Sequence, residues 1–108
     1  MNNKILNLLG FAAKSGSLSY GFDMTVEAMK KNVTKLVIVA DDISDKTKKE
    51  INFFSQKTNK RYILLAGVTS EQITNAVGKK CGIVSVNDLG FANAIEKAYL
   101  EGGETNDK

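Results

Sequence analysis

The sequence contains no histidine and a single cysteine, Cys81. Without histidine there is no Ser-His-Asp triad, no Cys-His pair and no histidine ligand for zinc. One cysteine cannot form an intramolecular disulfide or a cysteine cluster for zinc or iron–sulfur. We therefore expect no metal site and no cofactor. An enzyme is disfavoured, although a carboxylate or a lysine could still support acid–base catalysis.

Long apolar runs are missing as well. None approaches the roughly 20 residues needed to cross a bilayer, and Asn7 interrupts the first apolar run, which leaves no convincing signal-peptide core. Together with the lone cysteine, these absences predict a cytoplasmic protein without a membrane partner. A chain of 108 residues, 43% of them hydrophobic, fits one domain with one core.

Arginine is almost absent, since Arg61 is the only one among 15 basic residues. The net charge is +3, and the last eight residues contribute −2 of it, which leaves +5 on residues 1–100. A moderately basic domain can contact phosphates through lysines, so the charge permits an RNA partner. The scarcity of arginine weakens models based on bidentate reading of guanine, and no DNA partner is expected.

Helix-like and strand-like segments alternate along the chain. Apolar residues recur at helical spacing in residues 5–12. Apolar runs at 36–40 and 62–66 predict buried strands, and residues 83–86 are predicted as a third strand. Further helices are predicted at about 22–31 and after Ser44, Ser70 and Asp88 as N-caps. This order predicts one α/β domain over residues 1–100 with helices on both faces of the sheet. A polar tail, 101–108, is expected to be disordered.

Two segments admit alternative interpretations. The acidic group 41–45 follows a predicted strand, where it could form a magnesium site or a phospho-acceptor. We favour a structural role, because acids near a helix start interact well with the helix dipole. Cys81 is either a thiol activated by neighbouring lysines or a small packing residue, and we favour packing. No phosphate-binding loop matches a known fingerprint.

A further candidate site lies where Gly21 opens the helix at 22–31. A helix start presents unpaired N–H groups and a partial positive charge, which suit a phosphate or the edge of a base. Several lysines flank it, and a second basic turn occupies residues 78–82. If both turns lie at one end of the sheet, they frame a positively charged edge. If they do not, the lysines are ordinary solvated surface, and the residues alone leave both interpretations open.

Six segments of the chain occur in a familiar order. They are LLGFAAKSG at 8–16, the glycine-opened helix at 21, KLVIVADD at 35–42, TKK at 47–49, AVGK at 76–79 and GFA at 90–92. In this order they resemble the ribosomal kink-turn RNA-binding family, which includes the archaeal large-subunit protein "L seven Ae" and short bacterial ribosomal-like homologues.

The resemblance implies a three-layer α-β-α sandwich with a mixed four-stranded sheet, whose fourth strand is a short one near residues 17–19. It also implies a non-enzymatic protein that binds structured RNA, either a kink-turn or ribosomal RNA, with the ribosome as a further partner. In this family the second helix docks its N-terminal end at tandem sheared G·A pairs, and a loop after the fourth helix packs on an extruded base. Such recognition follows the general rule that RNA is read by shape and unstacked bases.

The family's Gly-x-Asn-Glu-x-x-Lys signature falls on residues 21–27, where Gly21 matches and Asp23, Met24 and Glu27 differ. Asp23 can accept a hydrogen bond but cannot donate one as an amide does. The residues expected to bind RNA are Lys14, Gly21, Phe22, Asp23, Lys30, Lys31, Lys79 and Lys80. The alternative is a protein-interaction module on the same fold, with Phe22 and Met24 as an apolar contact patch.

Overall fold

The computed structural model describes residues 3–106 of the chain, and the side chains of residues 3–102. Five helices and four strands alternate along this part. Their bounds are α1 (Asn3–Lys14), β1 (Leu18–Tyr20), α2 (Phe22–Lys30), β2 (Leu36–Ala40), α3 (Asp45–Thr58), β3 (Tyr62–Leu65), α4 (Ser70–Val77), β4 (Ile83–Val86) and α5 (Leu89–Asn106).

The four strands form one sheet in the order β1-β4-β2-β3. β2 pairs in parallel with β3, and α3 supplies the crossover that a parallel pair requires. β4 pairs antiparallel with both β2 and β1. The two central strands, β2 and β4, are buried at every residue, which explains their apolar sequences, interrupted only by Ser85 in β4. The mixed four-stranded sheet implied by the resemblance is confirmed.

Helices cover both faces of this sheet. α1, α4 and α5 pack on one face, in a core built around Leu9, Ile38, Ile73 and Ile95. α2 and α3 pack on the other, where Met29 and Ile51 meet β2 and β4. The three-layer α-β-α sandwich is therefore confirmed, as is the apolar helical face predicted in residues 5–12, where Ile5, Leu9 and Ala12 are buried.

The fourth strand is displaced by one residue from its expected position. β1 spans Leu18–Tyr20 rather than residues 17–19, with Leu18 opposite Val86 and Tyr20 opposite Val84. Ser17 lies just outside the strand, although its carbonyl accepts a hydrogen bond of 2.8 Å from the Asn87 N–H. Three residues carry too little local preference to specify a strand, so pairing with β4 sets its limits.

Two of the three predicted N-caps are confirmed. The Ser44 hydroxyl accepts from the Thr47 N–H at the start of α3, and an Asp88 carboxylate oxygen accepts from the Phe91 N–H in α5. The prediction for α4 was wrong, because its N-cap is Thr69 and not Ser70. Thr69 and Gln72 form a reciprocal capping box, and the Ser70 hydroxyl instead donates to Asp42.

The prediction of a disordered tail from residue 101 also differs from the structure. α5 continues to Asn106, and an oxygen of Glu101 lies 3.7 Å from the Lys4 ammonium of α1. No proline interrupts this segment, so nothing in its backbone chemistry forces the helix to end at residue 101. Residues 107 and 108 lie outside the described residues.

Candidate functional site

The start of α2 is held against the first residue of β4. The Gly21 N–H donates to the Ile83 carbonyl over 2.8 Å, and Gly21 itself adopts φ 86° and ψ 170°. That region of backbone space is accessible essentially to glycine alone. No side chain caps the first turn of α2, so its leading N–H groups remain available to an external acceptor. The backbone conformation at position 21 therefore explains why this residue is a glycine.

The basic loop 78–82 lies beside this helix start. It runs from Gly78, which ends α4 in the left-handed conformation, into β4. The Thr74 hydroxyl anchors it by bonding to the Cys81 N–H at 3.1 Å and the Cys81 carbonyl at 3.2 Å. The Lys79 ammonium lies 5.2 Å from the centroid of the Tyr20 ring, immediately before Gly21. The two turns are thus at one end of the sheet.

We call this surface the basic edge, and it comprises Gly21, Phe22, Asp23, Lys79 and Lys80. The side chains of both lysines and of Asp23 are exposed. Phe22 is half-buried, and its ring packs edge-to-face with Phe54 at a centroid distance of 6.4 Å. Because much of the Phe22 ring serves the core, its backbone N–H and the outer rim of the ring are what it presents to a ligand.

Two titratable groups near the basic edge have shifted pKa values. Glu27 lies 2.8 Å from Lys31, and this hydrogen bond and charge lower the pKa of Glu27. Burial raises the pKa of Tyr20, and the nearby Cys81 raises it further. Tyr20 is therefore a neutral ring under Lys79, while the charge of Glu27 is offset by its own helix neighbour. Asp23 is the acidic side chain in the first turn of α2.

Three of the expected RNA-binding lysines lie away from the basic edge. Lys30 and Lys31 are at the last turn of α2 and its C-cap, roughly 12 Å along the helix from its start. Lys30 stacks over the Phe54 ring at 5.2 Å, and Lys31 pairs with Glu27. Lys14 ends α1, beyond the opposite end of β1 from Gly21. The length of α2 carries Lys30 and Lys31 away from Gly21, so proximity in sequence did not place these lysines at the basic edge.

The acidic group after β2 ties two loops together. An Asp42 oxygen accepts from both the N–H and the hydroxyl of Ser70, each at 2.8 Å, and these bonds lower the pKa of Asp42. An Asp41 oxygen accepts from the Gly67 N–H at 2.9 Å. The structural interpretation is confirmed, with one refinement: Asp42 acts at the start of α4, on the next connection, rather than at the start of α3.

Cys81 packs in the core cluster beside α4, and its thiol donates to the Lys79 carbonyl. Burial raises the pKa of Cys81, which disfavours the reactive thiolate despite the adjacent lysines. Residues 10–16 contain the glycines, lysine and serine of a phosphate-binding loop in the wrong order, and most of them lie within α1. Both results agree with the interpretations favoured from the sequence.

Sequence reasoning missed Tyr20 as part of this surface. Its ring is half-buried and carries Lys79. The sequence feature that could have predicted this role is the position of Tyr20, directly before the glycine that opens α2. Tyr20 also ends a strand that alternates apolar and polar residues.

Within residues 3–106, no cluster of three or more acidic or cysteine side chains is arranged to hold a metal ion. No helix in that same stretch combines the length and the apolar character needed to cross a membrane.

Comparisons with known proteins define the class of this fold. Residues 3–96 match the profile of the Ribosomal protein L7Ae/L30e/S12e/Gadd45 family. The RNA-binding protein YlxQ of Enterococcus faecium is 32% identical over 100 residues, which cover 92% of this chain and 93% of that protein. The large ribosomal subunit protein eL30 of Candida glabrata is 29% identical over 89 residues, covering 81% and 84%.

Solved structures agree with this assignment. A Bacillus halodurans protein of unknown function superimposes with a TM-score of 0.81 at 26% identity, over 87% of this chain and 94% of that one. A Giardia lamblia 15.5kD RNA binding protein gives a TM-score of 0.73 at 17% identity, over 92% and 88%, and shows the shared fold.

The chain therefore belongs to the Ribosomal protein L7Ae/L30e/S12e/Gadd45 family. The named relatives are RNA-binding and ribosomal proteins, which confirms the prediction that this chain is not an enzyme.

Proposed function

We propose that this protein binds structured RNA, kinked or ribosomal, through the basic edge. The observation that carries the proposal is the juxtaposition of the uncapped start of α2 with the basic loop, joined by the hydrogen bond from Gly21 to Ile83 and by Lys79 over Tyr20. Relatives that are named as RNA-binding and ribosomal proteins support it. So does the charge of +5 on residues 1–100.

The roles follow from the chemistry of each group. The leading N–H groups of α2 would donate to base edges or phosphate oxygens, with the helix dipole favouring negative charge there. Lys79 and Lys80 would neutralise backbone phosphates. Asp23 would accept from an exocyclic amine of a base, since a carboxylate can only accept hydrogen bonds. In this proposal the protein acts in the cytoplasm, and the ribosome is one partner that offers RNA of the required kind.

The test compares two RNAs by fluorescence anisotropy: a kink-turn RNA, and the same RNA with its sheared G·A pairs replaced by Watson–Crick pairs. We expect tighter binding to the kink-turn by about tenfold, equivalent to roughly 1.4 kcal/mol, as for the loss of one good base contact. Equal affinity for both RNAs, or no binding to either, would contradict the proposal.

The alternative function, a protein-interaction module, predicts a different salt dependence of binding. Met24 is 53% exposed in the first turn of α2, so an apolar partner could also dock there. RNA binding should weaken steeply with ionic strength, whereas an apolar protein contact should not. Repeating the titration at several salt concentrations therefore separates the two functions.

A further inference from the structure

A second basic surface lies on α3, outside the basic edge. Lys46, Lys49, Phe53 and Lys57 follow one another at helical spacing, and we call them the α3 stripe. The Phe53 ring is 57% exposed, although an aromatic ring of this size is ordinarily covered. The Lys57 ammonium lies 5.7 Å from the Phe53 ring centroid. The stripe therefore alternates positive charge with an open ring face.

Packing against Phe54 holds the Phe53 ring in place. It meets Phe54 edge-to-face at a centroid distance of 5.2 Å, and Phe54 in turn packs on Phe22 and carries Lys30. Ile51, two residues before Phe53 in α3, is fully buried against the sheet. A rigid helix thus presents the ring, so little ordering would be needed when a flat ligand stacks on it.

The charge around the ring is strongly positive. Lys46, Lys49 and Lys57 form no ion pair with any described acidic side chain. Glu50 is the acid that lines one concavity together with Lys46, Lys49, Phe53 and Phe54. Unneutralised lysines spaced along a groove suit the phosphates of a nucleic acid strand, while a protein partner would have to bring an acidic surface and also match an isolated ring.

The α3 stripe is continuous with the basic edge. A groove between α2 and α3 is lined by Phe22, Asp23, Lys30 and Phe54, and Phe54 also lines the concavity beside Phe53. Glu27 also lines it, with its charge offset by Lys31. A strand that leaves an RNA docked at the start of α2 can therefore follow this groove to Phe53.

We propose that the α3 stripe binds unpaired nucleotides of RNA, with one base stacked on Phe53 and the adjacent phosphates on Lys46, Lys49 and Lys57. Aromatic stacking accepts any base, because every base has a π-face, and lysines that track the backbone are its usual companions. The cation–π contact of Lys57 at an exposed site is weak enough for a base to displace it. The α3 stripe would extend the RNA site proposed at the basic edge, and this inference rests in part on that proposed function.

The first test uses a kink-turn RNA with and without a single-stranded extension of about six uridines, a length within the site sizes known for such grooves. The wild-type protein should bind the extended RNA at least about fivefold more tightly, the lower range for stacking of one base. Phe53→Ala should abolish that gain. The matched control is Phe11→Ala, which removes a ring that is 58% exposed on α1, on the other face of the sheet. If Phe53→Ala retains the gain as Phe11→Ala does, the proposal is overturned.

The second test does not require the kink-turn to bind. The chain has no tryptophan, so Phe53→Trp and Phe11→Trp each introduce one fluorophore. Oligouridine should quench the tryptophan at position 53 and leave the one at position 11 unchanged. Quenching without discrimination between the two kink-turn RNAs would support the α3 stripe and contradict the proposed function at the basic edge.

Two other results would overturn the α3 stripe. One is normal binding of the kink-turn RNA with no effect of the extension and no quenching at position 53. The other is self-association, measured by sedimentation, that Phe53→Ala abolishes while RNA binding stays unchanged, because Phe53 would then be a protein contact.

Discussion

The ammonium of Lys79 lies 5.2 Å from the centre of the Tyr20 ring, so a residue of the α4–β4 loop contacts the last residue of β1, directly before Gly21. This contact joins two turns that are 59 positions apart in sequence. The antiparallel pairing of β1 with β4 brings them together, since Tyr20 is opposite Val84 in that register. The candidate RNA site is therefore a product of sheet topology.

The contribution of Lys79 to RNA binding should appear in the salt dependence. Lys79→Ala is expected to make the slope of log K against log salt shallower by about one unit, because one phosphate contact is lost. Lys97→Ala is the control, since Lys97 is an exposed lysine of α5 on the face away from α2. An unchanged slope for Lys79→Ala, measured by anisotropy, would remove this residue from the site.

Gly21 should be more sensitive to substitution than Gly78. Both have positive φ, but Gly21 has ψ 170° and Gly78 has ψ 11°, in the left-handed helical region. No atom lies within 4 Å of a Cβ added at either glycine, so backbone strain dominates the cost. We expect Gly21→Ala to lower the free energy of unfolding by about 1–3 kcal/mol, and Gly78→Ala by about 1 kcal/mol. Urea midpoints compare them, and equal losses would refute the strain argument.

The bond between Asp42 and Ser70 should make stability depend on pH. The pKa of Asp42 lies below its ordinary value of 3.8 in the folded state, so the folded protein is favoured above that value. This stabilisation is lost as the pH falls through the lowered pKa. Asp42→Asn should therefore be less stable than wild type at neutral pH, with the difference shrinking below about pH 4. A pH-independent difference in urea midpoint would contradict the role of the carboxylate.

Ser85 should be important to the core despite its polarity. Its hydroxyl lies 2.8 Å from that of Thr34 and donates to Asn87 over 2.6 Å, and both Ser85 and Thr34 are fully buried. Ser85→Ala would leave the Thr34 hydroxyl without a partner, at a cost of about 1–3 kcal/mol of unfolding free energy. Ser15→Ala, at an exposed hydroxyl, is the comparison. Similar chemical denaturation curves for the two variants would argue against this cost.

The sequence predicted the parts of the fold that local chemistry specifies. The uninterrupted apolar run of β2 required burial on both faces, and Ser44 had the right position to cap α3. β1 was expected only through the family resemblance, because its pairing with β4 is non-local. Ser70 was assigned the wrong role since its hydroxyl is bound by Asp42, which is 28 positions away.

The candidate site was less predictable for the same reason. The glycine-opened helix and the basic loop could be recognised separately, but whether they meet depends on the order of the strands. Lys30 and Lys31 were grouped with Gly21 by their nearness in sequence, and the length of α2 separates them from it. Phe53 could have been noticed, because adjacent phenylalanines on a helix cannot both face the core.

The most direct test of the central claim is to map the RNA contact by amide chemical shifts during titration with a blunt-ended kink-turn RNA. The proposed site predicts the largest changes at Gly21, Phe22 and Asp23 and in the loop containing Lys79 and Lys80, with small changes at Lys14 and the end of α2. Large changes confined to α1 and α5, with residues 21–23 and 78–82 unaffected, would contradict it.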